Sequence, residues 1–165
     1  MKLLNFRVLD EPGIQLESWR LGASGAATGP NESATRSWDL HNFADFRGFT
    51  YDAARAELTV EWVAPQAQSN PWGDKGNHYT GCALRFGEVI YLAVTPRDPE
   101  MPAAEDLTLE WCGMAEKACS SANTWEYPQS AESAVFRLAF HGGMTIEVVA
   151  IAAELLAKGP SVRAD

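Results

Sequence analysis

Histidines, cysteines and strand-borne glutamates are the residue types in this chain that could do chemistry. His41, His78 and His141 are its three histidines, and none sits in HExxH, HxH or a Cys/His spacing that would build a zinc site. Catalytic partners need not be neighbours in sequence, so a site assembled in space from Asp39, His41 and His78 stays open. His141 falls in a predicted hairpin loop and reads as solvated. Cys82, Cys112 and Cys119 are an odd set without CxxC spacing, which fits free thiols in a reducing compartment better than a disulfide framework. Cys82 or Cys112 with a distant histidine would make a nucleophilic pair. A thiol beside an aromatic in a strand, as in Trp111-Cys112, reads instead as an inert core residue. There is no GxSxG elbow and no GxxxxGK[ST] loop.

Glu61, Glu110 and Glu147 could form carboxylate pairs on adjacent strands, the arrangement a glycoside hydrolase uses as acid and base. Each alternates with apolar residues, which points it to solvent rather than into the dry pocket that raises a carboxyl pKa. Arg85 or Arg137 is the cation expected between them. No catalytic residue, metal ligand or cofactor is therefore assigned.

The elements that carry these residues follow one repeated pattern. Leu58-Thr59-Val60-Glu61-Trp62 returns as Leu107-Thr108-Leu109-Glu110-Trp111, and Met144-Thr145-Ile146-Glu147-Val148 keeps the same order of classes. This is the period-two alternation of a strand with one dry face. Shared sheet geometry explains the echo more simply than duplication of a β-meander.

Along the chain, Leu3 to Asp10 reads as a first strand and Ile14 to Trp19 as a second, preferred over a short helix ending at Gly22. Residues 22–36 are rich in Gly, Ala, Ser and Thr and are expected to form a mobile loop. Leu40, Phe43 and Phe46, three apart after Ser37, predict one or two helical turns. Phe49 to Asp52 and Glu57 to Ala64 predict a hairpin turning at residues 52–55. Residues 65–80 form a second long connection, and Trp72, Asp74, His78 and Tyr79 make it a candidate recognition loop. Gly81 to Thr95 is either a hairpin at Gly87 or one long strand bent there. Pro96, Pro99 and Pro102 then punctuate an acidic loop that ends where Leu107 starts the second copy of the strand pattern, with neither helix nor central strand before it.

Met114 to Cys119 reads as a helical turn and Trp125 to Tyr127 as a short strand. Phe136, Leu138 and Phe140 share a face with Met144, Ile146 and Val148 only if the loop is His141-Gly142-Gly143, with Gly143 at positive φ. That register sets Arg137 opposite Glu147 on the wet face. Ala150 to Lys158 reads as a closing helix and residues 159–165 as a frayed tail.

These elements point to one domain over residues 1–165, mainly β or β-rich α+β. It is expected to be an antiparallel curved sheet or sandwich of about seven to nine strands with one or two short helices. Hydrophobic residues at 46% and charged residues at 21% are ordinary for a soluble globular chain. A net charge of −9 without clustered Lys and Arg argues against nucleic acid, and no apolar stretch is long enough for a membrane helix. The expectation is a cytoplasmic, non-catalytic binding domain, such as an immunity protein or inhibitor, holding a protein with a basic surface. Asp98, Glu100, Glu105 and Asp106 are its candidate contacts, because no Lys or Arg lies between Asp98 and Glu116. The alternatives are a β-barrel or sandwich that binds a small ligand and a carboxylate- or metal-dependent hydrolase.

Overall fold

The computed structural model describes residues 1–9, 15–19, 36–64, 79–116 and 134–158. Their strands are β1 (Lys2–Leu3), β2 (Phe6–Val8), β3 (Gln15–Ser18), β4 (Arg36–Asp39), β5 (Asp45–Asp52), β6 (Glu57–Val63), β7 (Gly81–Thr95), β8 (Leu109–Glu116), β9 (Ala134–Phe140) and β10 (Thr145–Lys158). A short 3-10 helix, Ala103–Leu107, precedes β8. The main sheet runs β5-β6-β7-β10-β9-β8, and the smaller sheet runs β2-β3-β4. All neighbours are antiparallel except β1, which lies parallel to β10. The antiparallel β-rich architecture expected from the sequence is thus the one found.

Both sheets bury their apolar faces in one cluster. Phe6, Leu16 and Trp38 of the small sheet join Leu84, Phe136 and Val148 of the large one. Phe6 meets Phe136 edge-on with ring centroids 6.4 Å apart. Trp38 Nε1 donates to Ser18 Oγ at 2.8 Å, so this buried indole and hydroxyl satisfy each other.

The β7–β10 ladder is long and bent. On β7 the inward residues Phe86, Val89 and Leu92 are three apart rather than two, and on β10 Ala150 is followed inward by Ala153. A bulge at Ile90 opposite Val149 and Ala150, and Glu88 held at φ +55°, produce these changes of phase. Gly81 to Thr95 is therefore the long bent strand, with the left-handed residue at Glu88 instead of Gly87. The bend curls the sheet until Phe46 on β5 lies 4.4 Å from Phe140 on β9 and 6.1 Å from Trp62, centroid to centroid. Among the described residues the edges β5 and β8 are not hydrogen-bonded to each other, and the 3-10 helix packs beside β5.

The β5–β6 hairpin forms as expected, with Asp52 opposite Glu57, and the final hairpin has the expected register, with Arg137 opposite Glu147 and Gly143 at φ +82°. The face that carries Arg137 is not wet, however. Its side chain is 4% exposed and bonds Glu147 Oε1 through Nε at 2.8 Å, so the pair is largely desolvated.

Several local expectations give way to sheet pairing. Ser37 to Phe46 is not helical: Trp38 pairs with Leu16 in β4, and the chain turns where Asp39 accepts from Asn42 N at 2.9 Å. Phe43, the middle of the apparent helical stripe, is exposed. Ala150 to Lys158 is strand, because the ladder to β7 continues to Lys158 opposite Gly81 and overrides the helix propensity of Ala and Leu. Met114 to Glu116 belongs to β8 rather than to a helical turn; residues 117–119 lie outside the described residues. The first strand is split into β1 and β2 around Leu4 and Asn5.

The second copy of the repeated pattern also departs from the first. Leu107 ends a 3-10 helix, so the acidic segment is not free of helix, and the strand starts at Leu109. A bulge at Glu110 then turns Trp111 outward and Cys112 inward. Trp125 to Tyr127, the tail 159–165 and, except for Arg36, Tyr79 and Thr80, the loops 22–36 and 65–80 lie outside the described residues.

Asn5 fastens the N-terminal segment to β10 through a side chain that imitates backbone. Its Nδ2 donates to Leu155 O and its Oδ1 accepts from Leu155 N, both at 2.8 Å. Asn5→Ala removes two part-buried bonds and should lower stability by about 1–3 kcal/mol in urea unfolding. It should also speed exchange of the Leu155 amide; unchanged values for both would contradict this role for the side chain.

Candidate functional site

The acidic candidates lie on one loop wrapped around the final hairpin. Asp98 N donates to Gly142 O at 2.8 Å, Gly142 N to Glu105 O at 3.2 Å and His141 N to Thr108 O at 3.1 Å. A Cβ on Gly142 would lie 1.8 Å from Asp106 Oδ1, and one on Gly143 would lie 3.3 Å from Asp98 N. Gly143 is needed for its positive φ, but Gly142 has no such φ and is needed for the close approach. A Gly-Gly pair in a turn that requires only one glycine was therefore a legible sign that another segment docks there.

Within the loop, Glu100 N donates to Asp98 Oδ1 at 2.9 Å, which forms a local turn. Arg97 Nε lies 2.6 Å from Asp106 Oδ2 as an ion pair without well-aligned hydrogen-bond geometry. The Arg97 guanidinium also donates to Met101 O. Asp106 is thereby committed to holding the loop. Asp98 and Glu100 are exposed, as is Glu110, and Glu105 is half-buried. Of the four acidic candidates, Asp98 and Glu100 are displayed, Glu105 is half-buried and Asp106 is structural.

The aromatic half of the predicted surface is placed differently. Tyr79 is half-buried, with its ring 5.5 Å from that of Trp38, and it packs against the core. Trp72, Asp74 and His78 lie outside the described residues.

The other chemical candidates are engaged in structure. Glu61 pairs with Lys158 at 2.7 Å, Glu147 with Arg137, and Glu154 with Arg85. Burial raises the Cys82 thiol well above the ordinary range, with Lys158 partly opposing it, and pushes Cys112 up to about 12. Neither thiol is poised as a nucleophile at neutral pH. Among the described residues, no group of three or more His, Cys, Asp or Glu side chains converges as a metal site.

Sequence reasoning missed one juxtaposition. His41, in the turn between β4 and β5, places its ring 5.2 Å from that of His141, and its Nδ1 lies 2.8 Å from Leu109 O. The two imidazoles come from segments a hundred residues apart, and no spacing rule joins them. Compared with known protein families, curated proteins and solved structures, the chain matches none.

Gly142→Ala should destabilise the fold by about 1–3 kcal/mol, the usual scale for forcing atoms into a packed site. The same substitution in an Asp106→Ala background should cost clearly less, since the nearest clashing atoms are gone. Strict additivity in that cycle would refute the docking account. The thiols supply a pH test as well. Their folded pKa values are raised, so their contribution is intact below the unfolded value of 9.0 and declines as pH climbs toward 12. Cys112→Ala should flatten that decline in urea midpoints between pH 8 and 11; identical profiles would contradict it.

Proposed function

We propose that the protein is a non-catalytic binding module that presents the loop Asp98 to Asp106, with Glu110 beside it, to a basic protein surface. A bacterial immunity protein or inhibitor of a basic partner is one instance of that class. The observation that supports this reading most is the way the loop is built. Main-chain bonds to Gly142 fix it, while the cation that precedes it, Arg97, is spent on Asp106. Asp98, Glu100 and Glu110 are exposed, and the sequence from Asp98 to Glu116 contains no Lys or Arg. A loop already ordered before binding loses less entropy on association, and a single-sign patch raises the encounter rate with a cation.

Trp62 Nε1 favours a second reading, a small ligand with a hydrogen-bond acceptor. This indole is 1% exposed, and its N–H has no hydrogen-bond partner among the described residues. Ligand titrations that change tryptophan fluorescence in the native chain but not in Trp62→Phe would move the function to that class.

The first reading is tested by capture from a host extract on the immobilised protein, eluted with a salt gradient. A basic protein should be retained by the native chain. The variant Asp98→Asn/Glu100→Gln/Glu105→Gln, which preserves the loop's turn, should bind it roughly tenfold or more weakly and with a shallower salt dependence. Equal affinity for both forms, or capture of no basic protein, would sink the reading.

A further inference from the structure

The His41–His141 pair lies at the seam of the curled sheet. His41 belongs to the turn leading into the edge strand β5, and His141 to the hairpin between β9 and β10. His41 Nδ1 is committed to the carbonyl of Leu109 on the opposite edge strand, β8. A carbonyl accepts only from a protonated nitrogen, so the neutral ring carries its lone pair on Nε2. Fixing one imidazole nitrogen on a backbone carbonyl is how proteins commonly orient a histidine whose other nitrogen binds a metal.

His141 is half-buried, and no hydrogen bond to its ring is found among the described residues. Ordinary aromatic packing also brings rings to separations of about 4.5–7 Å, so contact by itself decides nothing. The separation nevertheless fits a shared ion. With metal–nitrogen distances of about 2.0–2.1 Å and tetrahedral coordination, two imidazoles on one ion hold their centroids roughly 5 Å apart. Here they are 5.2 Å apart, with planes inclined at 55°.

We propose that His41 and His141 form a two-imidazole site for a borderline divalent transition-metal ion, Zn2+, Ni2+ or Cu2+, that staples the seam between the β4–β5 turn and the final hairpin. Among the described residues no group of three or more His, Cys, Asp or Glu side chains converges here, so the site is proposed on these two imidazoles with its other coordination positions open to solvent. The site is therefore an exchangeable one, unlike a closed structural zinc site. Hard cations such as Mg2+ and Ca2+, which take oxygen ligands, do not use it. Occupancy ties the segment before β5 to the hairpin that seats the acidic loop. It does not depend on what that loop binds.

The test uses the full 15N-labelled chain and the metals alone. Zn2+ should shift the imidazole NMR signals of His41 and His141 together, leave those of His78 in place and raise the melting temperature saturably. Affinity should follow the order Cu2+ above Ni2+ and Zn2+, with no response to Mg2+. His141→Ala removes a ring that anchors nothing else among the described residues, and should weaken binding by roughly 100-fold because the second ligand's chelate advantage is lost. His41→Ala should do the same but also loses the Leu109 bond, so His141→Ala is the decisive variant; His78→Ala should bind like the native chain. Absence of a Zn2+ response, binding that survives His141→Ala, or binding that disappears in His78→Ala would each overturn the proposal.

Discussion

The fold depends above all on the antiparallel ladder between β7 and β10. These strands are paired from Gly81 opposite Lys158 to Thr95 opposite Thr145. A straight ladder of that length would put every second side chain on one face and hold the sheet open. The bulge at Ile90 and the left-handed Glu88 break the phase, so Val89 and Leu92 still reach the core while both strands bend. Everything else hangs on that bend. It brings Phe46 to Phe140 across the curl and leaves room for the small sheet to bury Phe6, Leu16 and Trp38 on the concave side.

Among the described residues the edges of the curled sheet do not pair, which leaves a seam that turns fill. The 3-10 helix beside β5, His41 on the Leu109 carbonyl and the His41–His141 contact all bridge it. Gly142 lets the acidic loop settle onto the same hairpin, and the Arg97–Asp106 pair closes the loop on itself. The charged surface is thus anchored to the part of the molecule that finishes the fold. Its display of carboxylates is a property of the tertiary structure as much as of composition.

The outer face of the sheet is handled by ion pairs, each joining strands or strand ends that the pairing has brought together. Glu61 with Lys158 and Arg85 with Glu154 lie in partly exposed positions, where such pairs contribute little to stability. Arg137 with Glu147 differs, because burial makes loss of either partner costly. Of the glutamates that could have served as a catalytic dyad, Glu61 and Glu147 are partners for cations, and Glu110 is exposed. The buried thiols are likewise core groups, kept neutral by desolvation.

Period-two alternation was enough, from sequence alone, to determine the β class, the β5–β6 hairpin and the full register of the final hairpin down to Arg137 opposite Glu147. In those segments, local pattern and turn chemistry agree with the pairing. Only the tertiary structure decided that Ser37 to Phe46 is the end of β4, a turn and the start of β5, and that Ala150 to Lys158 is strand. Their helical signals come from spacing and propensity, worth tenths of a kcal/mol per residue, which a long hydrogen-bonded ladder outweighs. The tertiary structure also decided which acidic residues are displayed and which are consumed, and it made neighbours of His41 and His141. A sequence records which residues alternate along a strand, but not which distant turns the curl of a sheet brings within 5.2 Å of each other.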